Sequence, residues 1–222
     1  LDTTGNGERD TGKTRLSASN PDDQALVVAA AQFGFSFTSR GEGGRTLVLE
    51  VGDQSDYVGA RQAYVARGLR ECAAPPGRQI TFEVLQTLEF TSARRRMSVV
   101  LRDTSTNTIK LYCKGADAEV FKRLTGAERN SDVTKATAKH LDAIANDGLR
   151  TLAVAFKVMS TNVWDAWAER YRAAADDLVE QEKRKNKEDN RIDALMDELE
   201  TELELLGATA VEDKLQEFVP ET

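Results

Sequence analysis

The stretch "GERDTGKT", residues 7–14, has residue types and a spacing that could bind a phosphate. Gly7, Gly12, Lys13 and Thr14 fit the pattern G-x-x-x-x-G-K-[ST], in which backbone amides and a lysine hold phosphate groups. Such a loop follows a buried strand and opens directly into a helix. Only six residues precede Gly7, and the short polar segment "RLSASNP" follows Thr14. We therefore interpret the match as accidental and residues 1–19 as a polar linker.

A run of three arginines interrupts a strand-forming segment, "LEFTSARRRMSVVLRD". In a strand, alternation places Arg95 on one face and Arg94 and Arg96 on the other, so the run is not a uniform basic stripe. Charged residues of this kind often protect the edge of a sheet. The run predicts either a charged edge strand or a binding segment, and Phe90 beside it is a candidate core residue.

Two further segments place a cation at the junction of two elements. "YCKGADAEVF" ends a strand at Lys114 and Gly115 and opens a helix, whose first amides favour an anion. "NDGLRTLAVAF" leads Arg150 from a helix end that Gly148 terminates into a buried strand. Each cation could equally be a solvated turn residue or a cap of the helix.

The pattern of the first half predicts the elements that hold these residues. Asn20 as N-cap and Pro21 as the first helical residue predict a helix that Gly34 ends. Strand patterns follow in "FSFTSR", "RTLVLEV", "QITFEVLQTLEF", "RRRMSVVLRD" and "TIKLYCK". Short turns join the last three. They therefore predict an antiparallel meander, because parallel pairing needs long crossovers.

The second half is richer in helix patterns. Helices are predicted in "ADAEVFKRL", "SDVTKATAKHLDAIANDG", from Asn162 onward, and again in "IDALMDELETELEL"; "RTLAVAFKVM" predicts a central strand. The tail, "LLGATAVEDKLQEFVPET", predicts a short strand and a new helix. We divide the chain into a linker (1–19), a main domain (20–205) with an insertion at 52–79, and a tail segment (206–222).

Composition narrows the functional classes. The chain has 30 basic and 37 acidic residues and a net charge of −7, which argues against general binding of nucleic acid. Two cysteines indicate a reducing compartment, and a single histidine argues against a histidine-rich metal site. No apolar run is long enough to span a bilayer, and no signal peptide is visible. The absence of an initiator Met leads us to expect a fragment.

Five segments together, in this order and spacing, resemble the nucleotide-binding domain of type IV P-type ATPases, the phospholipid flippases. They are "NPDDQALV", "LEFTSARRRMSVVLRD", "YCKGADAEVF", "DGLRTLAVAF" and "LLGATAVEDKLQEFVPET". The resemblance runs from about Asn20 to Thr222, without the insertion. It implies an α+β fold, with a twisted antiparallel sheet flanked by helical hairpins, and a tail that returns toward a phosphorylation domain.

The resemblance also implies roles for six residues. In the family, the residue corresponding to Phe90 stacks on adenine, and that corresponding to Ser92 lies beside it. Those corresponding to Lys114 and Gly115 lie in the nucleotide pocket, and that corresponding to Arg150 reaches the phosphates. The sixth, Asp23, contributes on the adenosine side, where the family has a glutamate that is one methylene longer.

The resemblance implies a cytosolic domain of an integral membrane protein that presents ATP to a separate phosphorylation domain. The phosphorylated aspartate of the family lies in an Asp-Lys-Thr-Gly-Thr motif, which "LDTTG" does not match. The implied ligands are ATP and Mg²⁺, the metal held mainly outside this segment. The implied partners are the phosphorylation and actuator domains and, through membrane helices, a phospholipid. We expect the segment alone to bind ATP without hydrolysing it.

Three alternatives stay open at this point. The fold could serve as a non-catalytic interaction module without nucleotide affinity. It could belong to a P-type ATPase that transports cations, since Lys-Gly-Ala is shared with those pumps. The chain could also be a nucleoside triphosphatase that uses residues 7–14.

Overall fold

The computed structural model of this 222-residue chain describes residues 21–32, 34–41, 44–51 and 78–212. Within these ranges the chain forms seven strands and seven helices. The strands are β1 (Phe35–Arg40), β2 (Thr46–Val51), β3 (Arg78–Leu88), β4 (Arg96–Asp103), β5 (Ile109–Gly115), β6 (Arg150–Met159) and β7 (Glu204–Val211). The helices are α1 (Pro21–Gln32), α2 (Asp117–Phe121), α3 (Gly126–Arg129), α4 (Asp132–Asn146), α5 (Thr161–Ala175), α6 (Leu178–Lys185) and α7 (Arg191–Leu199).

The strands form one antiparallel sheet in which hydrogen-bonded neighbours follow chain order from β1 to β7. This order needs no crossover, because each strand pairs with the strands that precede and follow it. The predicted meander of β3, β4 and β5 and the predicted α+β fold class are confirmed.

The chain divides into two compact units. The first contains the described residues up to Val84 together with Arg102–Asn107, and the second contains Leu85–Leu101 and the residues from Thr108 onward. In the first unit, α1 lies against β1. Gly34 adopts a φ of 85° and donates its amide to Ala31 O at 3.0 Å, so the predicted end of this helix is confirmed.

The core of the second unit lies between one face of the sheet and the helices that follow β6. Trp167 is buried in α5, donates Nε1–H to Leu195 O at 2.9 Å, and stacks on Tyr171 with ring centroids 4.8 Å apart. The hydrogen bond to Leu195 ties α5 to α7. These contacts confirm that the recurring aromatic residues of α5 form a core stripe.

The structure differs from the prediction where α7 ends. The periodicity of "IDALMDELETELEL" predicts a continuous helix, but α7 stops at Leu199 and β7 begins at Glu204. The reason is tertiary: Leu203 is fully buried, donates its amide to Arg123 O at 3.0 Å and accepts the amide of Thr125 at 2.9 Å. These two hydrogen bonds hold Leu203 outside the helical pattern.

Several predicted segments fall outside the described residues. They are the linker with residues 7–14, most of the predicted insertion (52–77), and the helix predicted at the end of the tail. The strand predicted in the tail is present as β7. Residues 207–211 are therefore paired with β6 in this sheet. The return of the chain toward a phosphorylation domain stays a prediction.

Candidate functional site

Five of the six predicted site residues lie where strands β3 to β6 share one end of the sheet. Neighbouring strands run in opposite directions, so the end of β3, the start of β4, the end of β5 and the start of β6 meet there. Phe90 and Ser92 lie in the connection between β3 and β4, Lys114 and Gly115 end β5, and Arg150 begins β6. All five belong to the second compact unit.

The two cations lie on the same face of the sheet. Lys114 is directly opposite Val154 in the pairing of β5 with β6, and Arg150 lies four residues before Val154. Because residues two and four apart in a strand share a face, Lys114 and Arg150 lie on one side of the sheet. The separation along the strand is about 13 Å, from a rise of about 3.3 Å per residue. This arrangement can contact two parts of one elongated anion.

The connection between β3 and β4 is a tight turn that leaves its aromatic residue exposed. The amide of Arg95 donates to Thr91 O at 2.8 Å, and that of Arg94 donates to Thr91 Oγ1 at 3.2 Å. Phe90 is 58% exposed, and Ser92 is also exposed. Phe90 is therefore not the core residue that the sequence left open, and its ring can stack on a planar ligand.

The turn is held directly against the Lys-Gly motif. The amide of Ala116 donates to Arg95 O at 3.0 Å. A Cβ on Gly115 would stand 2.5 Å from that same oxygen, so only glycine allows the two segments to approach this closely. The structure therefore brings the segment that carries Phe90 into contact with the segment that carries Lys114.

Three amides at the start of α2, those of Ala116, Ala118 and Glu119, have protein acceptors, which weakens the expectation of an anion site there. The Ala116 amide donates to Arg95 O, and the Ala118 amide donates to Asp117 Oδ1 at 2.7 Å. The Glu119 amide donates to Ala116 O at 2.9 Å. An anion at this corner would therefore depend mainly on side chains, with Lys114 the nearest candidate in sequence.

The arginine run has a different role from the one that its charge suggested. Arg94 and Arg96 are only 7% and 2% exposed, while Arg95 is exposed. The three side chains alternate in burial as predicted, but the cause is not strand pleating, because Arg94 and Arg95 lie in the turn before β4 and Arg95 has a φ of 50°. β4 also lies between β3 and β5, so the prediction of a charged edge strand is wrong. Both buried arginines bind the carboxylate of Glu200, at 2.5 Å from Arg94 Nη2 and 2.6 Å from Arg96 Nε.

Sequence reasoning missed Glu200, although a signal was present. Glu200 follows Met196 by four residues, so it continues the apolar face of α7. An acidic residue on an apolar face predicts a buried ion pair, and the arginine run at the start of β4 offered the partners. Only the fold could show that the end of α7 meets this run.

The thiol beside Lys114 is not a nucleophile. Cys113 is buried, and burial raises the pKa of its thiol despite a hydrogen bond with Ser98. The thiol is therefore protonated at neutral pH. Cys113 is part of the core that supports the site.

Asp23 lies in the first turn of α1, in the first compact unit, and is half-buried. An acidic side chain in the first turn stabilises a helix through the helix dipole. This structural role is sufficient to explain an aspartate at position 23 without a ligand. Its predicted role on the adenosine side stays a prediction.

Comparison with known proteins places the chain in a family. Residues 3–217 match the family described as "P-type ATPase, cytoplasmic domain N". The chain is 36% identical over 214 residues to "Probable phospholipid-transporting ATPase 7" of Arabidopsis thaliana, covering 96% of this chain and 15% of that protein. It is 36% identical over 215 residues to "Phospholipid-transporting ATPase IC" of Homo sapiens, covering 97% of this chain and 14% of that protein.

A third relative gives the same picture. "Phospholipid-transporting ATPase ID" of Mus musculus is 35% identical over 215 residues, which cover 97% of this chain and 15% of that protein. The chain thus spans about 15% of the length of the curated relatives it matches. In the part of the chain that the structure describes, no helix is long and apolar enough to cross a membrane. The chain belongs to the P-type ATPases, in which it corresponds to the cytoplasmic N domain.

Proposed function

We propose that this domain binds ATP at the shared end of β3 to β6, with adenine stacked on Phe90. The observation that supports this best is the exposed ring of Phe90 on a turn fastened to Lys114–Ala116. A large apolar ring that is 58% exposed gains from covering by a flat ligand. Lys114 and Arg150, on one face of the sheet, supply positive charge for the phosphates.

The expected affinity is weak. Stacking of one base on an aromatic ring contributes about 1–3 kcal/mol. Each charge-assisted hydrogen bond from Lys114 or Arg150 adds about 1.5–3 kcal/mol. After the loss of translational and rotational freedom is subtracted, we expect a Kd of about 0.1 to several mM. Such an affinity suits a domain that must release its nucleotide after each transfer.

In the full-length protein, the domain presents ATP to a separate phosphorylation domain, whose aspartate accepts the γ-phosphoryl group. That phosphorylation drives the movement of a phospholipid, with the actuator domain and membrane helices of the same chain as partners. The names of the relatives, which are phospholipid-transporting ATPases, support this reading over a cation pump. The domain itself does not hydrolyse ATP. Its cellular place is the cytosolic side of a membrane.

Mg²⁺ accompanies ATP in such a reaction. Residues 78–212 and the shorter described ranges contain no group of three or more His, Cys, Asp or Glu side chains arranged as metal ligands.

An ATP titration followed by amide NMR tests the proposal. We expect shifts to cluster at Phe90, Lys114 and Arg150, and we expect Phe90→Ala to raise the Kd at least about fivefold because the stacking surface is lost. Leu178→Ala is the matched control, since Leu178 is also an exposed apolar side chain but lies in α6. Its affinity should equal that of the unchanged protein.

Three results would contradict the assignment. An unchanged affinity in Phe90→Ala would remove adenine from this turn. No shifts at millimolar ATP would favour the interaction module. Shifts confined to residues 12–14 would favour a nucleoside triphosphatase that binds phosphate through the P-loop pattern of residues 7–14.

A further inference from the structure

We propose that Glu200 is a positioning residue for ATP, because it fixes the adenine platform, residues 89–95, through Arg94 and Arg96. The proposal rests on the proposed ATP site and extends it to a residue of the α7 end that does not touch the nucleotide. The carboxylate holds the platform in the geometry in which Phe90 can accept adenine.

The carboxylate of Glu200 is the centre of a fully buried network. Its Oε1 accepts hydrogen bonds from Arg94 Nη2 at 2.5 Å and Ser98 Oγ at 2.6 Å, and its Oε2 accepts one from Arg96 Nε at 2.6 Å. Glu200 itself is 0% exposed. Three donors, two of them charged, therefore converge on one carboxylate that is shielded from bulk solvent.

Each arginine also donates a hydrogen bond to a backbone carbonyl of the platform. Arg94 Nη1 donates to Glu89 O at 2.7 Å, directly before Phe90. Arg96 Nη1 donates to Arg94 O at 3.0 Å, at the other end of the turn. The two arginines thus bracket Phe90 and Ser92. Both guanidinium groups are oriented by the same carboxylate.

The carboxylate has a fixed position because α7 holds it. Glu200 caps the C-terminus of α7, and its amide donates to Met196 O at 3.1 Å. Asp197, on the same helix, accepts a second hydrogen bond from Arg96. The location of the adenine platform is therefore set by the packing of α7 and not only by the turn itself.

Without the carboxylate, two buried cations would lack their shared counter-charge. Buried charges of one sign repel and draw in water, so the arginines would turn toward solvent and release Glu89 O and Arg94 O. Phe90 would then sample several positions. Adenine stacking would weaken although every nucleotide contact residue is present.

The test compares Glu200→Gln with Glu180→Gln in this chain. Glu180 is another buried glutamate with ion-paired and backbone partners, but it joins α6 to α7 and does not contact the platform. Arg94→Met is a second variant. It removes the hydrogen bond to Glu89 O while Glu200 keeps Arg96 as its partner, so the buried carboxylate is not left without a counter-charge.

The first readout is hydrogen exchange of the Ala116 amide, which donates to Arg95 O and so reports whether the platform is docked. We expect exchange about tenfold faster or more, relative to the amides of α5, in Glu200→Gln and Arg94→Met. Glu180→Gln should change the exchange rate of the Ala116 amide and those of the α5 amides by the same factor. A purely structural loss of stability would do the same.

The second readout is affinity. In Glu200→Gln and Arg94→Met, the affinities for ATP and for adenosine should fall by the same factor, about five- to tenfold. The reason is that adenine stacking is the contact that both ligands share. Unchanged Ala116 exchange in both variants would overturn the positioning role. If the unchanged protein binds no ATP, the proposed function fails, while the exchange measurement still decides whether Glu200 holds the platform.

Discussion

Gly115 packs against Arg96 so closely that a Cβ on Gly115 would lie 2.5 Å from the Cβ of Arg96 and 2.7 Å from its Cα. Real Cβ atoms do not approach backbone at that distance. The Lys-Gly motif therefore does more than place a lysine. Its glycine is the contact surface on which the Phe90 turn is seated.

Gly115→Ala should move that turn. The new methyl group meets backbone atoms of Arg95 and Arg96, and such overpacking costs about 1–3 kcal/mol of unfolding free energy. Urea unfolding measures the loss, and ATP titration should show weaker binding. Gly126→Ala is the control, since nothing lies within 4 Å of its Cβ. Equal behaviour of the two variants would contradict the close packing.

Lys114→Ala should lower the affinity for ATP about tenfold or more, because one charge-assisted hydrogen bond to a phosphate is lost. Adenosine lacks phosphate, so its affinity should not change. Lys110→Ala is a matched control on the same strand and face, about 13 Å away along the strand. A similar loss in the control would indicate a diffuse charge effect and not a specific contact.

Deleting residues 1–18 should leave ATP affinity unchanged. These residues carry the P-loop pattern but neither the buried strand before it nor the helix directly after it. NMR titration of the shortened chain against the full chain measures the difference. A large loss of affinity would return the nucleotide to residues 7–14.

The stability of the α6–α7 hairpin should fall in acid through Glu180. Its carboxylate accepts the Arg191 amide at 2.6 Å and Lys183 Nζ at 2.8 Å, and these contacts, the backbone bond first, lower the pKa of Glu180. A lowered folded-state pKa stabilises the fold above the ordinary glutamate pKa. That contribution is lost as the pH falls from the ordinary glutamate pKa through the lowered one.

Thermal unfolding between about pH 3 and pH 6 checks this. Glu180→Gln should flatten the acid limb of the melting temperature, because glutamine does not titrate. Glu182→Gln, an exposed change on the same helix, should leave the limb as it is. A limb that is equally steep in Glu180→Gln would assign the acid sensitivity to other groups.

Local patterns were sufficient for the elements of this site. Short turns indicated the meander, and the strand beginning at Arg150 was predicted with its observed bounds. The end of α7 was not predictable, because Leu203 leaves the helical pattern to pair with Arg123 and Thr125. A periodicity reports neighbours in the chain, whereas that choice depends on a contact far along it.

By itself the sequence determined which residue types were available at the site: an aromatic ring, a Lys-Gly pair and an arginine, each at the boundary of a strand. Only the tertiary structure decided that Phe90 is exposed, that Gly115 receives the backbone of Arg95, and that Glu200 binds both buried arginines. The physical reason is the range of the interactions. Periodicity and turn chemistry act over a few residues, while the carboxylate and the arginines it neutralises are more than 100 residues apart and meet only when α7 packs beside β4.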